Sequence, residues 1–171
     1  MIYYIADNHF GHKNVIRFDN RPFADTVLMD EVLVHNWNER VTEDDTVYIL
    51  GDCFWKNEEN SVKLIQRLKG HKHLIRGNHD RVHGRLRFYY ESIEHYAEIN
   101  DNDRLVILCH YPIPFYKNQH YGAVMLYGHV HNKRARLHRE MEARAVGIGN
   151  PVQYDQCRMY DGIYEIYSEN S

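Results

Sequence analysis

Apolar residues in this chain come in short blocks, and each block ends abruptly in a polar turn. Ile2-Tyr3-Tyr4-Ile5-Ala6 stops at Asp7-Asn8-His9. Thr46-Val47-Tyr48-Ile49-Leu50 stops at Gly51-Asp52, and the run into Leu74-Ile75 stops at Arg76-Gly77-Asn78-His79-Asp80. Short β-prone runs bounded by turn residues predict buried strands. Between them the apolar period lengthens. Met29, Val32, Leu33, Trp37 and Val41 share one face of a helix predicted over 25–40, which Asp25 or Thr26 can cap. That spacing makes Trp37 a core residue. Val62, Ile65 and Leu68 do the same over 58–69, and Gly70 ends that helix. The polar, basic segment from His12 to Pro22 reads as a loop over the end of the first strand.

The second half is richer in strands. Runs from His95 to Ile99 and from Arg104 to Leu108 flank Asn100-Asp101-Asn102-Asp103, which predicts a hairpin. Its second strand leads into Cys109-His110-Tyr111-Pro112, and Ala123 to Tyr127 leads into Gly128-His129-Val130-His131. Ala145 to Gly149 and Tyr160 to Tyr167 read as closing strands, while Asn150 to Tyr154 carries no assignable feature. Strands alternating with helices predict an α/β sheet, whose ligands sit beyond the carboxyl ends of the strands.

Composition narrows the class. The 171 residues fit one domain spanning 1–171, and 43% hydrophobic residues supply a core. No apolar run approaches the roughly 20 residues of a membrane span, and no basic region precedes Ile2, so no signal peptide is expected. Cys53, Cys109 and Cys157 are odd in number and widely spaced, which fits reduced thiols in a cytoplasm. A net charge of −3 without a basic run argues against a nucleic-acid polymer as partner. The 13 histidines direct attention to metal spacing.

Five strand ends carry Asp7/His9, Asp52, Asn78/His79, His110 and His129/His131. In extended chain, Asp-x-His and His-x-His send both side chains to one side. Seven Asp, Asn and His donors are too many for one ion and suit two borderline divalent ions. Such a pair, about 3.5–4 Å apart, can clamp a phosphate and activate water.

The ordered set Asp7-x-His9, Gly51-Asp52, Gly77-Asn78-His79-Asp80, His110 and Gly128-His129-x-His131 resembles the calcineurin-like metallophosphoesterase family, and most closely its small bacterial and phage-type members. The motifs span about three quarters of the chain, and every ligand position fits the pattern. The resemblance implies two packed mixed β-sheets flanked by helices, a four-layer αββα sandwich. It implies that Asp7, His9 and His131 hold a first ion, that Asp52 bridges, and that Asn78, His110 and His129 hold a second. It makes His79 the proton donor to the leaving group, with Asp80 positioning it.

The expected cofactors are therefore two divalent ions (Mn, Fe, Zn or Ni, with Mn favoured), and the expected activity is phosphoester hydrolysis by a metal-bridging hydroxide. Arg76, Arg17 and Arg21 are candidates for neutralising phosphate oxygens; Arg76 is the strongest, with Tyr111 a further substrate contact. An aromatic rim of Phe54, Trp55, Tyr111, Phe115 and Tyr116 favours a small phosphodiester carrying a ring, such as a cyclic nucleotide. A phosphomonoesterase or nuclease of the same family, or a catalytically idle protein-binding scaffold of the same fold, is the alternative. Oligomeric state is not legible in the sequence.

Overall fold

The computed structural model describes residues 1–131 and, for the backbone, Tyr154–Gln156. Two four-stranded sheets organise it. The first joins β1 (Ile2–Ile5), β2 (Thr46–Ile49), β3 (His71–Ile75) and β4 (Ser92–Glu94) in that order, parallel throughout. The second joins β5 (Tyr96–Asp101), β6 (Arg104–Cys109), β7 (Val124–Tyr127) and β8 (Tyr154–Gln156), with only the β5–β6 hairpin antiparallel. Mixed pairing thus holds for the second sheet and not for the first. The helices are α1 (Lys13–Phe18), α2 (Thr26–Arg40) and α3 (Glu58–Ile65).

Side-chain alternation assigns each strand two buried faces. Tyr3, Ile5, Val47, Ile49 and Leu74 face Met29, Leu33, Trp37, Val62 and Ile65 in the helical core. Tyr4, Ala6, Leu50 and Ile75 face Val106, Leu108, Val124 and Leu126 of the second sheet. The two sheets therefore pack face to face, and strands buried on both sides read as continuous apolar runs. On the outer face of the second sheet, Ile107, Cys109, Met125 and Tyr127 pack with Ile113 and Tyr116 from the loop after β6. The described residues put no helix on that face, so they supply three of the four expected layers.

The helix boundaries follow from local chemistry. Asp25 caps α2 by accepting from the Leu28 amide at 2.9 Å, and Asn57 caps α3 through the Asn60 amide at 3.0 Å. Trp37 is buried and donates from its indole to the Lys69 carbonyl at 3.0 Å. The loop expected over His12 to Pro22 contains α1 instead. That helix has no side-chain cap at His12, and its only buried residue is Val15, so neither boundary nor periodicity marked it. Phe54, expected on an exposed rim, is buried against Phe10, with ring centroids 5.3 Å apart. Cys53 and Cys109 are free and buried; Cys157 and the predicted closing strands at 145–149 and 160–167 lie outside the described residues.

Leu108 is fully buried between the sheets. Leu108→Ala should lower stability by about 2–5 kcal/mol, read as a lower urea midpoint at unchanged slope. A cost under about 1 kcal/mol would mean the interface between the sheets is not a packed core.

Candidate metal centre

The candidate residues are delivered by turns rather than by extended chain. Asp7, His9, Asp52, His129 and His131 all lie in the left-handed region, with φ of 55°, 52°, 54°, 69° and 45°. This conformation costs a non-glycine residue about 1–2 kcal/mol, so five such residues at one locus mark a site held against strain. The expectation that Asp-x-His and His-x-His converge by strand alternation is corrected here; the left-handed turns aim them.

Backbone pairing holds those turns. Beyond the strands, the loops after β1 and β2 continue side by side: the amides of Asp7, His9 and Phe10 donate to the carbonyls of Gly51, Asp52 and Cys53 at 2.9–3.0 Å. Gly51 and Gly77 are required by close approach, because a Cβ on Gly51 would strike the His110 ring and one on Gly77 would strike the Asp52 carboxylate.

The donor atoms converge in two groups that share Asp52. Around the first, His9 Nε2 stands 3.2 Å from His131 Nε2, 3.9 Å from Asp7 Oδ1 and 3.8 Å from Asp52 Oδ2, and His131 Nε2 stands 3.8 Å from Asp7 Oδ1. Around the second, His110 Nε2 stands 3.6 Å from Asp52 Oδ2 and 3.0 Å from Asn78 Oδ1, and His129 Nδ1 stands 2.9 Å from Asn78 Oδ1. Ligands about 2.1 Å from a divalent ion lie roughly 3.0–3.5 Å from one another in tetrahedral or octahedral arrangement; the second group, at 2.9–3.6 Å, is close to that spacing, and the first, at 3.2–3.9 Å, is somewhat wider.

The remaining hydrogen bonds fix which lone pairs face inward. His110 Nδ1 donates to the Leu50 carbonyl at 2.8 Å, which leaves Nε2 as an acceptor directed at two oxygen acceptors. His131 Nδ1 likewise donates to Asp19 at 2.8 Å, turning its Nε2 lone pair toward His9 and Asp7. Asp52 spends Oδ1 on the His79 amide at 2.9 Å, leaving Oδ2 between the groups. Acceptors facing acceptors repel unless a cation stands between them, and this donor set therefore fits bound metal.

Burial shifts the ionisable members. Desolvation raises the Asp7 carboxyl to about 6, against the opposing pull of the histidines. Desolvation, then the nearby His131 and Arg21, push the His9 imidazole far down, so it stays neutral. His131 is raised by the hydrogen bond to Asp19 and the charge of Asp7, which outweigh its own desolvation.

Three sequence-predicted residues sit elsewhere than expected. Arg21 is buried behind the first group, where its guanidinium donates to the carbonyls of Asp7 and Asn8 and to Asp19, so it braces a ligand loop rather than meeting substrate. Asp80 does not take up the His79 ring. Its carboxylate accepts from the amides of Asp52, Cys53 and Gly77 at 2.8–2.9 Å and ties two strand ends together. Arg76 donates to the Asp80 carbonyl at 3.2 Å and lines neither of the clefts at the centre.

His79 is exposed, with its ring 4.5 Å from that of Trp55 and 6.0 Å from that of His9. Tyr111 is exposed and lies edge-on to His129 at 4.7 Å. Arg17 is exposed and lines a cleft beside the first group. Asp19, which orients His131, and His12, stacked on Trp55 at 3.9 Å, carried no motif that could single them out.

No family model matches the chain. It is 42% identical over 88 residues to an uncharacterized protein of Methanocaldococcus jannaschii, a match covering half of each protein, so the chain spans about half the length of that relative. It is 28% identical to the Gene 66 protein of Mycobacterium phage L5, over 98% of this chain and 96% of the phage protein. Among solved structures, a protein of unknown function from Aquifex aeolicus superposes with a TM-score of 0.64 at 27% identity, covering 79% of this chain and 81% of its own. A Vps29 single mutant from Entamoeba histolytica matches at a TM-score of 0.41 and 18% identity, covering 77% and 64%.

Two outcomes are expected in calorimetric titration with Mn²⁺. Asp19→Asn should weaken one equivalent about 10–100-fold, as losing a carboxylate partner of a ligating histidine does, and spare the other. Equal weakening of both would show that Asp19 does not act through His131. In metal-free protein Asp7 holds a proton below about pH 6, and that proton must leave for metal to bind. Affinity should therefore fall by about tenfold per pH unit below 6, whereas a flat profile from pH 7 to 5 would contradict the raised Asp7 carboxyl.

Proposed function

We propose that the chain is a metal-dependent phosphoester hydrolase of the calcineurin-like metallophosphoesterase type, acting on phosphodiesters. The observation that carries this reading is the pair of histidine lone pairs, on His110 and His131, locked by their Nδ1–H bonds to face buried oxygens and nitrogens. Asp7, His9 and His131 would hold one divalent ion and Asn78, His110 and His129 another, with Asp52 Oδ2 shared. When bound, such a pair supplies Lewis-acid stabilisation of phosphoryl charge and an activated water as nucleophile.

The chain's own groups do the remaining work. The Asp52 carboxylate is held by the His79 amide, so its shared oxygen does not rotate away. Arg21 and Asp80 keep the ligand loops from relaxing apart. The His79 side chain stands outside the ligand set and beside an open cleft, where it can pass a proton to a departing alkoxide. Trp55 packs against that imidazole and limits where it can point. Exposed rings at Trp55, Tyr111 and Phe115 suit an ester with an organic substituent on each side of phosphorus.

Reconstituted protein should approach two Mn²⁺ equivalents per chain by elemental analysis and hydrolyse bis-p-nitrophenyl phosphate faster than p-nitrophenyl phosphate. Saturation at one ion or none, or dominance of the monoester, would overturn the respective part of the reading. His79→Ala should keep both ions, lose about 10²–10⁴-fold on an alkyl ester, and lose much less on a p-nitrophenyl ester, which departs without a proton. His110→Ala should instead lose metal and fail on both. Equal impairment of His79→Ala on both substrates together with lost metal would make His79 a ligand.

A further inference from the structure

Two clefts meet at the wall formed by Trp55 and His79. The first, of about 1020 Å³, runs from His9, His129 and His131 past His12 to Asn14, Arg17 and Phe18 on α1. The second, of about 510 Å³, runs from Asn78 and His79 past Asn57 to Arg81 and His83. Both share Trp55 and His79 and so open from the same edge of the candidate centre.

Each cleft carries one exposed arginine. Arg17 has no carboxylate partner among the described residues; its guanidinium lies 5.4 Å from the Phe18 ring. Arg81 is exposed and likewise has none there. The other charges lining these walls are engaged. Asp19 accepts from His131 and Arg21, Lys56 pairs with Asp30 at 3.0 Å, and Glu58 accepts from the Arg85 amide. Arginine is suited to phosphate because its planar donors match two oxygens at once.

We propose that these clefts are paired subsites for a linear phosphodiester, with Arg17 and Arg81 each receiving an anionic group on the arm to either side of the scissile phosphate. The ligand class is a short single-stranded oligonucleotide or a dinucleotide with a terminal phosphate, rather than a cyclic nucleotide, whose ring closes both ester oxygens onto one sugar. A cyclic ester occupies one arm and leaves the other cleft empty. The apolar wall differs between the arms: His12 stacked on Trp55 at 3.9 Å, with Phe18 and Val15, lines the first, and polar Asn57 with His83 lines the second. A base on the first arm therefore has an aromatic surface beside it, and such contact is sequence-tolerant. The inference rests on the phosphodiesterase reading, since it places the scissile phosphate at the ligand set.

The test uses Mn²⁺-loaded full-length protein, with binding read in the stopped-flow mixing phase before turnover. Of the two tryptophans, Trp37 is buried and Trp55 is 45% exposed, so ligand-induced quenching reports on Trp55. Fluorescence titrations would compare dithymidylate bearing a 5′ phosphate, dithymidylate bearing a 3′ phosphate, unphosphorylated dithymidylate and 2′,3′-cyclic AMP. Arg17→Ala should lose about tenfold in affinity for one of the two phosphorylated forms and Arg81→Ala about tenfold for the other, the size expected of one charge-assisted phosphate contact. Neither variant should change affinity for the unphosphorylated form. Equal affinity of all four ligands, with both variants unaltered, would overturn the paired subsites. In parallel, the Mn²⁺-loaded unsubstituted protein would be assayed on bis-p-nitrophenyl phosphate. Hydrolysis there, with dinucleotide binding unaltered in both variants, sinks the subsites alone, whereas no hydrolysis by the unsubstituted protein sinks the phosphodiesterase reading itself.

Discussion

Like meets like at the centre of this molecule: two aspartate carboxylates, an asparagine oxygen and imidazole lone pairs are held within 4 Å of neighbouring acceptors. Left to relax, such groups would turn to water. The protein prevents this in several independent ways. Asp52 accepts the His79 amide on Oδ1, which leaves Oδ2 to face inward, and the His129 amide donates to both Asp7 oxygens at 3.0 and 3.2 Å, which fixes that carboxylate in place. His110 and His131 are pinned through Nδ1. Five of the residues concerned sit in left-handed backbone at about 1–2 kcal/mol each. Their summed cost is comparable to the whole stability of a domain, typically 5–15 kcal/mol. The surrounding structure must therefore over-determine these turns, and it does so with paired loops and buried braces.

The division of candidate ligands between the sheets ties the geometry of the site to the packing of the core. Asp7, Asp52 and Asn78 follow β1, β2 and β3 of the first sheet; His110, His129 and His131 follow β6 and β7 of the second. The gap between the halves is set by Tyr4, Ala6, Leu50 and Ile75 against Val106, Leu108, Val124 and Leu126. Interiors packed at crystal-like density do not drift by fractions of an ångström, and a metal site tolerates little more. The His129 amide's bond to Asp7 at 3.0 Å stitches the halves at the rim, and the Gly128 amide's bond to the His110 carbonyl at 3.1 Å ties the two loops of the second half to each other.

What the sequence revealed about this site was which polar side chains stand at strand ends, because that depends on local chemistry: an apolar run and then an abrupt polar turn. The β5–β6 hairpin and the Asp25 cap were legible for the same reason. The way donors converge was not, because left-handed backbone at Asp7 or His131 leaves no mark in residue type; Asp and His occupy many ordinary turns. Arg21, Asp80 and Phe54 were misplaced for a related reason. Each has the composition of a surface residue in its local segment, and each is buried by contacts with residues distant in sequence. Helix α1 escaped because six residues with one buried side chain carry too little periodicity to register. The helical fourth layer and the mixed first sheet came from the resemblance; the described residues supply a loop and parallel pairing in their place.

Charge balance gives the proposed reading its chemical sense. The ligand set contains two carboxylates, Asp7 and Asp52, and otherwise neutral donors. Two divalent ions so ligated would leave a net charge of about +2 at the site. A phosphodiester brings one negative charge in the ground state, and charge accumulates on its outer oxygens as the bond to the leaving group breaks. A site that remains cationic after its ligands are counted therefore favours the transition state over the bound substrate, which is the condition for lowering the barrier rather than merely tightening binding. Asn78, in place of a third carboxylate, preserves that excess. The same logic separates the two layers of the site. In that reading the ligand set, buried at Asp7, His9, Asp52 and His110, would set the charge that meets phosphorus, and the exposed residues around His79 and Trp55 would meet whatever is attached to it. Substitutions in the outer layer can then change the arms of the substrate without disturbing the charge at its centre.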